Sequence, residues 1–350
     1  MGMFPLSPIE IKEAIVECMK ADLVPYIEGS PGIGKSDIVH QVAEQYKLEM
    51  IDLRMSQLAP EDLMGLPMRE GKKAIFAPFS MFPLEDTPLP TGKRGWLLFL
   101  DELPSASKAV LAASYKLILD RMVGNYKLHP CTVIVTAGNK TTDKAIATSL
   151  GTAMQSRLIH LEMAVKKEPS IEHFHKIGMD PRIIGFIEFQ PSKLHHFDPN
   201  HHNATFACPR TWEFVSKLIR GKSFKQISLP LLAGAISDGV AVEFHTFLQE
   251  FDNLPSLQHV IDSPQTIPVP PEGSTKYAAI SMLMQNADHT NLANIAKYVK
   301  RFPSEFQVIF FRGLVQRDPT LKQTEAFKSN ILDLTRFIYD TDSDEQGEAA

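Results

Sequence analysis

The stretch EGSPGIGKSDIV, residues 28–39, decides how the rest of the chain is read. Gly29, Ser30, Pro31, Gly32, Ile33, Gly34, Lys35 and Ser36 match the pattern G-x-x-x-x-G-K-[ST] in full. The glycines let backbone N–H groups converge on phosphate oxygens, and a helix starting there adds its dipole. Lys35 is expected to reach the β- and γ-phosphates of a nucleotide, and the Ser36 hydroxyl to ligate Mg2+. Asp37, next along, is counted with this nucleotide-binding loop. The pattern needs a strand before it and a helix after it. VPYIEG is short, apolar and ends in Gly, and GKSDIVHQVAEQYKL has helical period. A cradle of this kind holds a nucleotide, but hydrolysis must depend on residues further along.

Those residues are sought at the ends of further strands. EMIDLRM (49–55), WLLFLDE (96–102), CTVIVTAGN (131–139) and RLIHLEM (157–163) are apolar runs separated by helical stretches such as SASKAVLAASYKLILDRM. Near-continuous apolar strands alternating with helices predict an α/β fold with a parallel sheet of five strands, covered on both faces. Asp101 ends the third strand, 66 residues after Lys35, where one carboxylate would stand beside the Mg2+ shell. Its neighbour Glu102 is the candidate general base for an attacking water. Asn139 ends the next strand and would orient that water. NKTTD has one residue more than the guanine motif N-K-x-D, so guanine specificity is not supported. Arg157, in AMQSRLIHLEM, is a surface ion-pair partner in most settings; in a ring it would face a neighbouring subunit's γ-phosphate. Arg210, in ACPRTWEF, opens a helix from which it would touch the phosphates of its own subunit's nucleotide.

Two segments interrupt the α/β rhythm. Residues 59–83 read as a helical turn followed by a hairpin around Glu70, Gly71 and Lys72, and a second hairpin turns at Gly124 and Asn125. After residue 166 the strand signal disappears. The division expected is an α/β nucleotide-binding domain (1–166), a helical lid (167–251), a Pro-rich extended connector (252–274), a further helical region (275–339) and an acidic disordered tail (340–350). LPLLAGAISDGVAVEFHTFLQEF is read within the lid as helix.

Composition narrows the class. The 350 residues carry a formal charge of −5, which argues against a general nucleic-acid coat without excluding a local basic strip. Three scattered cysteines form no metal or C-x-x-C spacing, and neither a signal peptide nor a membrane-length apolar run is seen, so a cytoplasmic protein is expected. The pairs His195–His196 and His201–His202 are read as a solvated loop rather than a metal site. Phe302, Phe306, Phe310 and Phe311 are read as core.

With these elements in order, residues 4–251 resemble the AAA+ ATPases, and among them the MoxR-like family. In that family's terms Walker A lies at residues 29–36, Walker B at 97–102 and sensor 1 at Asn139. Ser156-Arg157 matches the arginine-finger position, and Pro209-Arg210 looks like sensor 2. The two hairpins are similar to the clade's helix-2 insert and presensor-1 hairpin, which face the pore of a ring. The resemblance implies ATP and Mg2+ as cofactors, a homo-oligomeric, usually hexameric ring, and hydrolysis coupled to remodelling a protein partner, often one carrying a von Willebrand factor A domain. A nucleic-acid motor on the same core is the first rival, with Arg69, Lys72, Lys73, Phe76, Phe79, Tyr126 and Lys127 as its gripping residues. A non-hydrolysing nucleotide switch is the second.

Overall fold

The computed structural model describes residues 4–143 and 150–331. The chain divides into two compact units, residues 1–166 with Asp198–Asn200, and Lys167–Phe197 with residues 201 onward.

The first unit begins with α1 (Pro8–Lys20), whose start is set by a capping box. Ser7 Oγ accepts from the Glu10 N–H at 3.3 Å, and the Glu10 carboxylate accepts from the Ser7 N–H at 2.6 Å. Such a cap contributes about 1 kcal/mol. The elements that follow are β1 (Pro25–Glu28), α2 (Lys35–Gln45), β2 (Leu48–Arg54), α3 (Pro60–Met64), β3 (Leu66–Glu70) and β4 (Lys73–Ala77). After them come β5 (Gly95–Asp101), α4 (Lys108–Leu119), β6 (Met122–Val123), β7 (Tyr126–Lys127), β8 (Thr132–Gly138), α5 (Thr152–Gln155) and β9 (Ile159–Glu162). Five strands form one parallel sheet in the order β2-β5-β8-β1-β9, the five-stranded α/β arrangement the sequence predicts.

Strand β5 is buried along its whole length, and its side chains alternate between two cores. Leu98 and Leu100 face a cluster with α4, and Leu97 and Phe99 face one with α1 and α2. Burial on both faces is why the strand reads as a continuous apolar run. Each such side chain removed from water stabilises the unit by roughly 1.5–3 kcal/mol. The two expected hairpins form as β3–β4 and β6–β7, and they pack together. Gly124, with φ 57°, turns the second hairpin directly over the first: a Cβ there would lie 2.6 Å from Met64 O and 3.1 Å from Phe76 Cβ.

The second unit is helical: α6 (Lys167–Lys176), α7 (Pro181–Phe189), α8 (Pro209–Ile219), α9 (Leu229–Ile236), α10 (Asp238–Asp252), α11 (Leu257–Asp262), α12 (Gly273–Asn286), α13 (Leu292–Val299) and α14 (Ser304–Arg317). Its core centres on Trp212, Phe186 and Phe244, whose rings meet edge-on or tilted at 5.1–5.6 Å. Phe302, Phe306, Phe310 and Phe311 are buried, as expected. Helix α12 packs on α7, α10 and α14, so the region after the connector shares a core with the helices before it.

Two details differ from the sequence reading. The run LPLLAGAISDGVAVEFHTFLQEF is two helices, broken at Ser237, whose φ of 74° no α-helix tolerates. The connector is not wholly extended, because α11 forms inside it, capped by Ser256 Oγ accepting from the His259 N–H. Its prolines (255, 264, 268, 270 and 271) all fall outside residues 257–262, so nothing there blocks a helix. The histidine loop is more packed than expected: the Phe197 ring meets Phe206 at a tilt, 4.6 Å between centroids, and His201 edge-on at 5.8 Å. Among the described residues no group of His, Cys, Asp or Glu suits a metal ion, and no helix is long and apolar enough to cross a membrane. The end of the predicted helical region (332–339) and the acidic tail lie outside the described residues.

Candidate functional site

In the sheet register Glu28 pairs with Gly138 and Arg54 with Asp101, which brings the C-terminal ends of β1, β8, β2 and β5 to one edge. That edge is where an open α/β sheet binds its ligand. The loop from Gly29 to Gly34 leaves β1 there and enters α2. Gly32 (φ 75°) and Gly34 (φ 92°) occupy left-handed conformations open to glycine at little cost. At Gly29 the limit is space: a Cβ would sit 2.7 Å from Ile33 Cδ1 and 2.8 Å from Met163 O. The three glycines of the motif therefore each have a structural reason. Ser30, Pro31 and Gly32 line the half-buried outer curve of the loop, while Ile33 is buried beneath it.

Lys35 is only 8% exposed, and its ammonium folds back into the loop. Nζ donates to Gly29 O at 2.7 Å, Ser30 O at 2.9 Å and Asn139 Oδ1 at 2.9 Å. The next residue, Ser36, donates from Oγ to Asp101 Oδ2 at 3.0 Å. Two adjacent side chains of one loop thus reach the ends of β8 and β5. Asp37 is exposed in the first turn of α2; its carboxylate lies near Gly34, where a Cβ would be 3.6 Å from Oδ2.

Asp101 is 5% exposed and fully engaged. Oδ1 accepts from the Glu102 N–H at 2.8 Å, and Oδ2 lies 3.0 Å from Arg54 Nη1. Glu102 adopts φ 58°, ψ 33°, a left-handed conformation costing a non-glycine residue roughly 1–2 kcal/mol. The chain then enters a 3-10 turn, Leu103–Ser105, with the Ser105 N–H donating to Glu102 O at 2.8 Å. This backbone turns the Glu102 carboxylate towards the residues that follow β2. Ser56 Oγ donates to Glu102 Oε2, and Arg54 Nη1 stands 3.6 Å from Oε1.

Arg54 and Ser56 are the members of the cluster that sequence reading missed. Arg54 closes the strand LEMIDLR, and nothing local marks it; it meets Asp101 because β2 and β5 are neighbours in the sheet, although α3 and the β3–β4 hairpin separate them in the chain. The side of the loop towards β9 is held by a second charged group. Lys140 pairs with Glu162, which anchors the chain just after Asn139. Burial pushes the Glu28 carboxyl above its usual range, with Lys140 and His160 opposing that shift.

Of the other expected site residues, Arg157 is not part of this cluster. It precedes β9, and Ile159 pairs with Pro25 at the far end of β1, whereas Glu162 pairs with Glu28 beside the loop. The length of β9 alone separates the two ends by about 10 Å. Arg157 is exposed and donates to Ala153 O within its own turn. Arg210 is exposed at the start of α8 in the second unit.

No protein-family model matches the chain, and no curated protein matches it. Solved structures do resemble it. NtrX from Brucella abortus is 13% identical, over 89% of this chain and 69% of that one, with a TM-score of 0.42. The RuvB Holliday junction branch migration motor from Thermotoga maritima is 14% identical, over 93% of this chain and 86% of that one, with a TM-score of 0.33.

Proposed function

We propose that this chain is a Mg2+-dependent ATPase of the AAA+ class, of the MoxR-like kind, which works as a homo-oligomeric ring, a hexamer, and uses hydrolysis to remodel a protein partner. The observation that carries the reading is the pairing of adjacent loop residues with two strand ends: Lys35 with Asn139 and Ser36 with Asp101. The loop also suits a phosphate chain, since Gly32 and Gly34 hold left-handed conformations just before the N-terminus of α2, where the helix dipole favours an anion.

The residues divide the work as follows. Backbone N–H groups of residues 29–36 and the Lys35 ammonium hold the phosphates, the ammonium exchanging its carbonyl and amide acceptors for phosphate oxygens. Ser36 and Asp101 hold Mg2+, which when bound neutralises charge on the phosphate oxygens. Glu102 takes the proton of the attacking water, and Asn139 orients that water. Arg157 serves the site of a neighbouring copy, and Arg210 couples the nucleotide to the helical unit.

A protein client, such as one bearing a von Willebrand factor A domain, suits the first hairpin better than a nucleic acid does. Beside the basic residues Arg69, Lys72 and Lys73 the hairpin exposes Leu66, Met68 and Phe76, an apolar strip fitted to a peptide. Glu102→Gln tests the enzyme reading. Phosphate release should fall by roughly 10²–10⁴-fold while ATP affinity is kept. Turnover close to that of the unaltered chain would remove Glu102 as the base and leave a nucleotide switch.

A further inference from the structure

The helical unit carries one stretch of a single charge sign. Residues 214–237 contain no Asp or Glu and four cations, Lys217, Arg220, Lys222 and Lys225, in a chain whose formal charge is −5. All four are exposed. Lys217 lies in the last turn of α8, Arg220 caps that helix, and Gly221 (φ 71°) turns the chain towards Lys222 and the short 3-10 turn holding Lys225. Each is within about 11 Å of the next along the backbone, close to one Debye length, so their potentials overlap. Arg220 Nη2 donates to Gly178 O at 2.8 Å, which brings the end of α6 to this patch and sets Ile177, 44% exposed, at its border.

Neighbouring carboxylates do not cancel this charge. Asp180 is held by Arg182 at 2.7 Å and Glu172 by Lys176 at 2.6 Å. On α10, which packs here through His245 on Phe224 at 4.6 Å, Glu243 is held by Lys193 at 2.7 Å. Glu213, one turn before Lys217 on α8, is one carboxylate against four cations. None of the four has an ion pair among the described residues. The dipole of α8 favours cations in its last turn, which accounts for Lys217 and Arg220 but not for Lys222 and Lys225. The patch therefore suits a polyanion, and exposed Phe214 and Ile177 beside it suit one with apolar side chains.

We propose that this patch docks an acidic segment of the same chain, residues 340–348, through Lys217, Arg220, Lys222 and Lys225. Residues 340–350 hold five acids and no base, and Phe337, Ile338 and Tyr339 precede them, so apolar and acidic groups adjoin there as apolar and basic groups adjoin on the patch. The segment is long enough to arrive. Phe327 packs on Phe311 of α14 at 5.6 Å, and a Cβ at Gly313 of α14 would lie 3.4 Å from His175 Nε2 on α6, three residues before Gly178. Residue 327 is thus about two helix packings from Arg220, on the order of 20–30 Å. Residues 332–348 span up to about 55 Å when extended.

Two measurements on the full chain test this. A carbodiimide joins a lysine ammonium to a nearby carboxylate as an amide with loss of water, and mass spectrometry maps the products. Links from Lys217, Lys222 or Lys225 to the acids of residues 340–348 are expected at low salt, falling severalfold at about 0.5 M NaCl. In the second, a labelled peptide of residues 337–350 is titrated against the chain carrying Asp340→Asn, Asp342→Asn, Asp344→Asn, Glu345→Gln and Glu348→Gln, whose own segment no longer competes. Saturable binding is expected, weakened about tenfold or more by Lys217→Glu, Lys222→Glu and Lys225→Glu together. These lysines are exposed, so replacing them leaves the fold intact. The unaltered chain should bind the peptide severalfold more weakly than the neutralised one. An absence of links from these lysines, or peptide binding that the three substitutions leave unchanged, overturns the proposal. A single-stranded oligonucleotide that binds more tightly than the peptide, and loses that binding with the same substitutions, also overturns it and makes the patch a nucleic-acid surface.

Discussion

Asp101 Oδ2 receives two groups at once, the Ser36 hydroxyl and the Arg54 guanidinium, both at 3.0 Å. A divalent cation held by Ser36 and Asp101 must compete with that guanidinium. Arg54 is 43% exposed at its side chain, so the pair is screened and worth about 1 kcal/mol or less. Arg54→Ala should therefore lower the Mg2+ concentration needed for half-maximal nucleotide binding by roughly two- to fivefold. The same change frees Glu102 from one of its two partners and should reduce turnover. A Mg2+ titration followed by nucleotide fluorescence reads the first effect; an unchanged or raised requirement would show that Arg54 does not compete at Asp101. Lys35, Ser36, Asp101 and Glu102 were legible in the sequence because each belongs to a short local pattern. Arg54 and Ser56 were not, because their only mark is a neighbour in space.

Strand and turn geometry explain why the site is held so closely. Gly138, the last residue of β8, lies under the 3-10 turn after Glu102. A Cβ at that position would stand 2.3 Å from Pro104 Cδ and 2.8 Å from Tyr26 Oη. Gly138→Ala forces that turn outward and with it the strained Glu102 backbone. We expect a loss of about 1–3 kcal/mol of stability from overpacking, and a fall in turnover although residue 138 makes no nucleotide contact by its side chain. Thermal unfolding and phosphate release measure the two; stability and turnover both unaltered would mean that the turn accommodates the methyl group freely. In sequence this glycine reads only as the end of a strand. The break at Ser237 was equally hidden, since the residues on both sides have good helical period and the break is a single backbone angle. Helix α11 was obscured for the opposite reason: five prolines dominate the composition of a segment whose central six residues contain none.

For the whole molecule, the position of Arg157 sets the question of assembly. It stands at the end of β9 away from the loop, exposed and bonded only to its own turn among the hydrogen bonds described. If it completes the site of another copy, Arg157→Ala and Lys35→Ala should each abolish turnover, and a mixture of the two should regain part of it. In mixed rings some interfaces join an intact Lys35 to an intact Arg157. Activity in the mixture equal to the sum of the separate variants would exclude a site shared in this way.

The sequence by itself determined the loop, the strands that carry its partners and the change from α/β to helical character, because these depend on periodicity and on spacing within a few residues. It also placed Asp101, Glu102 and Asn139 at strand ends. The tertiary structure decided the rest. The order β2-β5-β8-β1-β9 set Arg54 and Ser56 against the carboxylates, and the parallel run of β9 carried Arg157 away from them. The bond from Arg220 to Gly178 O set the end of α6, with Ile177, beside the cations at the end of α8. Such contacts join residues far apart in the chain, and no local pattern encodes which elements will be neighbours.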